Sequence, residues 1–260
     1  MRDGTRRARV TSALGVFGLA VAVLFVGVLI GATGIGGILL VPIVAYLGNV
    51  PLHLTIASCN FSYLFTGLVG AIFYARKGSI SWGMCLWLGL GAMPGAYLGA
   101  FTLSILSARA LETIIAVLIV FSGIHAIVRD QDRKAARKTL APALLVGIGA
   151  GVGIGSAVSG TGGPLVLIPI LIWLELPVLV IIGLGQVIMV PIALLSTVGN
   201  LIHGQIDFIL GGILAAIMMV GAYAGAEITH RLPADLLHRG VAIILIAVGA
   251  LILARIGFGA

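Results

Sequence analysis

Charged residues are scarce in this chain of 260 residues, where Asp, Glu, Lys and Arg together make up 9%. An average soluble domain has about 25%. Hydrophobic residues account for 60% of the chain, and its mean hydropathy is +1.24. A soluble fold of this size cannot hide so much apolar surface from water. The composition therefore excludes a soluble enzyme and a disordered protein, and it predicts an all-α integral membrane protein.

The few charges are also absent from four long runs, at residues 10–75, 78–108, 140–174 and 176–206. Basic residues cluster between these runs, as they do in loops that flank membrane spans. The net charge of +7 therefore does not predict a nucleic-acid partner. The predicted partners are the lipid bilayer and a small solute, and the sequence leaves homo-oligomer formation open.

Cysteine is nearly absent too, with Cys59 and Cys85 both inside apolar segments, which excludes a disulfide scaffold. No Cys/His cluster has the spacing of metal ligands, so neither metal nor cofactor is predicted. The glycine-rich stretch 149–153 lies in an apolar span and lacks the strands of a dinucleotide fold. No nucleophile motif surrounds Ser156 or Ser159, which leaves an intramembrane protease as a weak alternative. The chain is predicted not to be an enzyme.

Runs of about 20 apolar residues are long enough to span a bilayer. Two further apolar pieces, 38–48 and 164–174, are too short to cross alone, and each follows a glycine-rich break. The prediction is about eight spanning helices, at residues 12–30, 53–75, 80–104, 110–128, 141–158, 178–202, 208–229 and 236–256.

A shift of 126 residues aligns the chain with itself. Pro51 then meets Pro177, Gly78 meets Gly204, and the segment 95–100 meets 221–226. Repeated halves are typical of transporter folds. The predicted organisation is a first membrane repeat (1–128), a basic cytoplasmic linker (129–138) and a second membrane repeat (139–260). Each repeat has four spans, the first of them broken by glycine or re-entrant.

Lys and Arg placement predicts the orientation, because these residues favour the cytoplasmic side. With the N-terminus inside and four crossings per half, twelve basic residues lie inside and three outside. This arrangement makes the repeats parallel and places both termini, Arg76, Lys77 and the linker in the cytoplasm of a plasma-membrane protein.

The two breaks, residues 31–37 and 159–164, carry the strongest indication of function. Irregular backbone inside a bilayer is tolerated where it is buried in protein or lines a wet cavity. Each break opens a short helix, whose free N–H groups and positive dipole end favour an anion. Close packing of helices by small residues is the structural alternative.

Two carboxamides, Asn60 and Gln186, occur one span after each break and are also 126 residues apart. Their N–H groups predict donors to an oxyanion across a central cavity, and helix–helix hydrogen bonding is the alternative. The matched Tyr97 and Tyr223 are interpreted as packing or interfacial anchors. The predicted substrate-binding residues are Thr33, Gly34, Gly36, Gly37, Ser58, Cys59, Asn60, Tyr63, Ser159, Gly160, Thr161, Gly162, Gly163 and Gln186.

The stretch 31–42, followed by Leu47-Gly48 and Pro51, resembles the sulfite exporter TauE/SafE family, and 159–177 resembles the other half of that family. The resemblance covers nearly the whole chain. It implies a plasma-membrane permease for small sulfur-containing anions such as sulfite, sulfoacetate and other sulfonates, commonly moved by export. Gln186 opposite Asn60, and Pro164 in one half alone, depart from a symmetric site.

The working hypothesis is transport by alternating access, with the two breaks meeting near the bilayer centre and the halves rocking around them. A passive anion channel is the alternative within transport. A non-transporting membrane scaffold subunit is the alternative from another class.

Overall fold

A computed structural model of the protein describes residues 13–111, 113–115, 117, 140–174 and 176–229. All regular secondary structure in this part of the chain is helical, as predicted. The helices are α1 (Ala13–Thr33), α2 (Gly37–Pro42) with the π-helical turn Ile43–Leu47 that continues it, α3 (Leu52–Arg76), α4 (Trp82–Ile105), α5 (Pro142–Ser159), α6 (Pro164–Trp173), α7 (Val178–His203) and α8 (Phe208–Thr229).

Six of these helices are long and apolar enough to cross a membrane: α1, α3, α4, α5, α7 and α8. Their bounds agree with the predicted spans to within a few residues. The predicted span 236–256, most of 110–128 and the linker 129–138 lie outside the described residues. The predicted total of eight spans therefore stays a prediction.

Local sequence explains where the helices start and stop. Pro142 and Pro164 open α5 and α6, at positions where a missing N–H costs no hydrogen bond. Gly160 ends α5 with φ +66°, a left-handed conformation that glycine adopts without strain. Asp207 precedes α8, and its Oδ1 accepts hydrogen bonds from the N–H groups of Ile209 and Leu210 at 3.0 and 2.9 Å.

The most extensive helix contacts join the two halves of the chain. Helix α1 packs on α8, α4 packs on α5, and α3 packs on α7, with further contacts of α4 with α7 and α3 with α8. The 126-residue shift relates α1 to α5, α3 to α7 and α4 to α8. It therefore exchanges the α1–α8 contact with the α4–α5 contact and maps the α3–α7 contact onto itself.

Glycine makes the closest of these contacts possible. A Cβ added at Gly31 would collide with the backbone of Ala222, and one at Gly225 with the backbone of Val28. The α4–α5 contact is equally tight, since a Cβ at Gly95 would collide with Ala150. These glycines therefore serve close helix packing.

The direction of the helices contradicts the predicted parallel repeats. Gly67 of α3 lies against Met189 of α7, and Gly70 lies against Gln186, so the two helices run antiparallel. Parallel repeats would have made α3 and α7 run in the same direction, because the 126-residue shift relates one to the other.

The first break is re-entrant. Gly36 lies against Leu29 and Ile30 of α1, so the chain turns back on itself after that helix. The 11 residues Gly37–Leu47 return it toward the start of α3, since a helix of this length covers about 16 Å. The predicted four crossings per half counted residues 12–50 as one net crossing, and that part of the prediction is therefore wrong.

This return changes the predicted orientation. The Tyr74 hydroxyl, near the end of α3, donates to the carbonyl oxygen of Gly31, near the end of α1, at 3.0 Å. The two helices therefore end on the same side of the bundle. Ala13, at the start of α1, and Arg76, at the end of α3, therefore border opposite ends of the bundle, whereas the predicted orientation required these two helix ends to lie on the same side. Residues 1–12 lie outside the described residues.

Candidate functional site

The two glycine breaks lie against each other in the interior of the bundle. A Cβ added at Gly37 would lie 2.5 Å from the carbonyl oxygen of Thr161, and one at Gly34 would lie 3.3 Å from Cβ of Pro164. Thr33 and Thr161 are each 1% exposed. The irregular backbone of the two halves thus forms one buried crossing.

Two different requirements explain the glycines of the breaks. Gly34, Gly160, Gly162 and Gly163 have φ values of +77°, +66°, +80° and +120°, which side chains other than glycine rarely adopt. Gly37 instead permits close approach to Thr161, as Gly36 does to α1. A larger residue at any of these glycines would therefore strain the backbone or collide with its neighbours.

Asn60 and Gln186 occupy corresponding places in the two halves. Asn60 on α3 donates through Nδ2 to the carbonyl oxygen of Ala157 on α5 at 3.0 Å. Gln186 on α7 donates through Nε2 to the carbonyl oxygen of Ile30 on α1 at 2.7 Å. Each carboxamide therefore satisfies a carbonyl near the end of the broken helix in the opposite half.

Both carboxamides are fully buried, and their oxygens Oδ1 and Oε1 have no hydrogen-bond partner within the described part of the chain. Each nitrogen also carries a second hydrogen. The two side chains therefore combine a structural bond across the halves with unused capacity to accept and donate.

Tyr63 connects the two breaks. Its hydroxyl donates to the carbonyl oxygen of Gly37 at 2.7 Å, and a Cβ added at Gly162 would lie 3.0 Å from its ring. The hydroxyl hydrogen predicted for a substrate is therefore already engaged. The residue 126 positions later is Met189, so this link belongs to the first half alone.

The hydroxyl side chains of the breaks bond mainly to their own helices. Thr33 Oγ1 donates to the carbonyl oxygen of Leu29 at 2.9 Å, and Ser159 Oγ donates to that of Gly155 at 2.6 Å. Ser159 Oγ and Thr161 Oγ1 are 3.0 Å apart, which places two hydroxyls side by side at the second break.

Ser58 and Cys59 have other surroundings. Ser58 Oγ accepts a hydrogen bond from the N–H of Asp207 at 3.2 Å and so ties α3 to the start of α8. Cys59 is fully buried in the apolar core. Tyr97 is also away from the breaks, since its hydroxyl lies 3.1 Å from Nε2 of His203 in an exposed contact.

Three further buried polar residues were not among the predicted substrate-binding residues. Tyr74 bonds to Gly31, while the Oγ of Ser156 and the Nδ2 of Asn200 are buried without a partner among the described residues. Asn200 is a carboxamide in an apolar span, which is the same indication that singled out Asn60. It escaped notice because its counterpart under the 126-residue shift, Tyr74, is not an amide.

The chemistry available at the crossing is neutral. Among the described residues, no group of three or more His, Cys, Asp or Glu side chains is placed to hold a metal ion. The carboxamides, hydroxyls and backbone groups of the breaks offer hydrogen bonds without a formal charge.

Comparison with known proteins identifies the family of the chain. A family model described as sulfite exporter TauE/SafE matches residues 11–252. The probable membrane transporter protein YdhB of Bacillus subtilis (strain 168) is 28% identical over 236 residues, which cover 86% of this chain and 94% of that protein. No solved structure matches the chain significantly. The protein, a multi-pass membrane protein, belongs to the sulfite exporter TauE/SafE family of membrane transporters.

Proposed function

We propose that the protein is a plasma-membrane permease that exports small sulfur-containing oxyanions, such as sulfite or organosulfonates, and binds them where the two breaks cross. The observation that carries this proposal is the buried contact between the breaks, with the carboxamide nitrogens of Asn60 and Gln186 beside it, each donating one hydrogen bond to a helix carbonyl. The description of the family supports the substrate class.

The second break favours an anion. Helix α6 begins there with Pro164, and the positive end of its dipole faces the crossing near the paired hydroxyls of Ser159 and Thr161. The second N–H of each carboxamide adds a further donor. The proposed site therefore replaces the hydration of an anion with neutral donors.

The packing suggests which parts move. We propose that the two halves are inverted repeats, because the corresponding helices α3 and α7 run antiparallel. Halves that rocked as units would have to separate the glycine-tight contacts of α1 with α8 and of α4 with α5. We therefore assign α1–α8 and α4–α5 as the moving bodies, which tilt against the central α3–α7 pair.

Burial of the crossing supports alternating access over a passive channel. Thr33, Asn60, Thr161 and Gln186 are each at most 1% exposed, as a substrate site closed to both sides requires. Inverted repeats offer two equivalent arrangements for opening to either side in turn.

The orientation follows from the basic residues. Helix α5 runs parallel to α4, because Gly91 and Gly95 lie against Val146 and Ala150, so α5 starts at the end of the bundle that carries Arg76 and Lys77. The five basic residues of the linker precede that start. We propose that this end is cytoplasmic. Ala13, at the start of α1, then borders the opposite face, in contrast to the expectation from sequence.

Anion flux in proteoliposomes tests the function. Sulfite flux by the unaltered chain should saturate, and Asn60→Ala and Gln186→Ala should each reduce it about tenfold or more, because each removes donors to a charged group. Gln205→Ala, which deletes an exposed carboxamide outside the breaks, is the matched control.

The alternatives predict different results in the same experiment. Unchanged flux in both variants and in the double variant would remove the assigned site. Non-saturating conductance would identify a passive channel, and no flux from folded protein would identify a scaffold subunit.

A further inference from the structure

The surroundings of the last turn of α5 contain unused hydrogen-bonding groups from three helices. Asn60 on α3 bonds to the carbonyl oxygen of Ala157, but its Oδ1 has no partner in the described part of the chain. The same holds for Ser156 Oγ on α5 and Asn200 Nδ2 on α7, which are 0% and 2% exposed. The three helices contact one another pairwise. We call Asn60, Ser156 and Asn200 the α5 layer.

The corresponding residues at the end of α1 are Ile30, Tyr74 and Gln186, which we call the α1 layer. Here the hydrogen bonds are nearly complete, because Tyr74 donates to Gly31 and Gln186 donates to Ile30. Gln186 Oε1 is the one side-chain atom of this layer that is buried without a partner among the described residues.

The side chains of the two layers also differ in volume. Each residue of the α5 layer is smaller than its counterpart, with Ser for Ile30, Asn for Tyr74 and Asn for Gln186. The reverse difference occurs at one position, where Ser196 corresponds to Gly70. It adds only a hydroxymethyl group on the side of the α5 layer. Buried polar atoms without partners are costly, so three of them on helices that contact one another indicate a bound polar group.

We propose that the α5 layer is a one-sided subsite for a singly charged, protonated oxyanion. The proposal rests on the proposed transport of sulfur oxyanions. Asn200 Nδ2 and Ser156 Oγ donate to oxygens of the anion, and Asn60 Oδ1 accepts the hydrogen of its O–H group. Hydrogen sulfite has this combination of acceptors and one donor.

Charge supports the protonated form. The α5 layer contains no cationic side chain, and Arg76 is the sole Lys or Arg on α3, α5 or α7, at an exposed helix end. A buried dianion would therefore lack a countercharge, whereas one charge shared among several donors costs much less to bury.

Binding by the purified full-length chain at one fixed pH tests the subsite. Hydrogen sulfite should bind about tenfold more tightly than methanesulfonate, which has the same charge but no O–H for Asn60 to accept. Ser156→Ala and Asn200→Leu should each weaken hydrogen sulfite binding about tenfold. Asn200→Leu should leave the melting temperature unchanged or raise it, because it removes a buried amide nitrogen that has no partner among the described residues, whereas a structural role would lower it.

Tyr74→Phe is the matched control, since it removes a hydroxyl from the α1 layer and should leave the affinity unchanged. An equal loss of affinity in Tyr74→Phe would overturn the one-sided site. Ser156→Ala removes one oxygen atom. If its affinity for hydrogen sulfite is unchanged, the layer holds water alone and the subsite is overturned. Sulfite flux by the unaltered chain would in that case still support the proposed function. Absence of both binding and flux in the unaltered chain would overturn both.

Discussion

The two breaks share a backbone design but differ in how completely their polar groups are used. At the end of α1, Tyr74 and Gln186 satisfy the carbonyls of Gly31 and Ile30. At the end of α5, Asn60 satisfies that of Ala157, while Ser156 Oγ and Asn200 Nδ2 stay unpartnered within the described chain. Helix packing is thus matched in both halves, whereas the side chains around it have diverged. This difference is the basis of the binding subsite proposed at the end of α5.

The strongest test of the shared packing is Gly31→Ala. The added methyl group would collide with the backbone of Ala222, so we expect a loss of about 3 kcal/mol in folding stability or failure to fold. Gly18→Ala is the matched control, because nothing lies within 4 Å of a Cβ there, and it should be neutral or stabilising by up to about 1 kcal/mol. Thermal unfolding in detergent measures both, and equal melting temperatures would contradict the tight α1–α8 contact.

Tyr74→Phe tests whether the α1 layer is structural. It should lower stability by about 1–3 kcal/mol, because the carbonyl of Gly31 loses its partner inside the bundle. Chemical unfolding followed by tryptophan fluorescence measures the change. A variant as stable as the unaltered chain would mean that this hydrogen bond contributes little and would weaken the contrast between the breaks.

A smaller difference is expected at the starts of α4 and α8, which the 126-residue shift relates. Asp207→Ala should cost about 1 kcal/mol, since Asp207 caps α8 through two backbone N–H groups. Its counterpart Ser81 makes no side-chain capping bond to α4, so Ser81→Ala should change stability by less than about 0.5 kcal/mol. The same melting experiment would reject this asymmetry if both variants shifted equally.

Topology is tested by the accessibility of single cysteines in intact cells. After Cys59 and Cys85 are replaced by Ala, one cysteine at Gly78 and one just before Ala13 should react from opposite sides of the membrane. Labelling from the same side would restore the parallel arrangement expected from sequence.

Sequence reasoning located the described helices to within a few residues because apolar length and glycine breaks are local properties. It placed the helices correctly but not their directions. The segment Gly37–Leu47 is too short to cross a bilayer by itself. It starts at the buried break, however, so it needs only to reach from the middle of the bundle to the level at which α3 starts. That one miscount placed the start of α1 on the same side as Arg76 and Lys77, whereas the start of α1 and the end of α3 border opposite ends of the bundle.

The sequence predicts the roles of Asn60 and Gln186 only in part. Their burial and their pairing could be anticipated, but their acceptors, Ala157 and Ile30, lie 97 and 156 residues away in the chain. No local pattern encodes such a bond. The unpartnered Ser156 and Asn200 are harder still, because a missing hydrogen bond depends on every neighbour at once.

The tight contact of α1 with α8 has a consequence for biosynthesis. Gly27 and Gly31 pack against Met218 and Ala222, about 190 residues further along the chain. During translation α1 therefore enters the bilayer long before α8, its main partner, is synthesised. Until then the glycine face of α1 contacts lipid. Contacts so distant in sequence are slow to form. If translation stops before α8 is made, α1 has no packing partner. We expect membrane quality-control proteases to recognise such a chain by the exposed glycine face of α1.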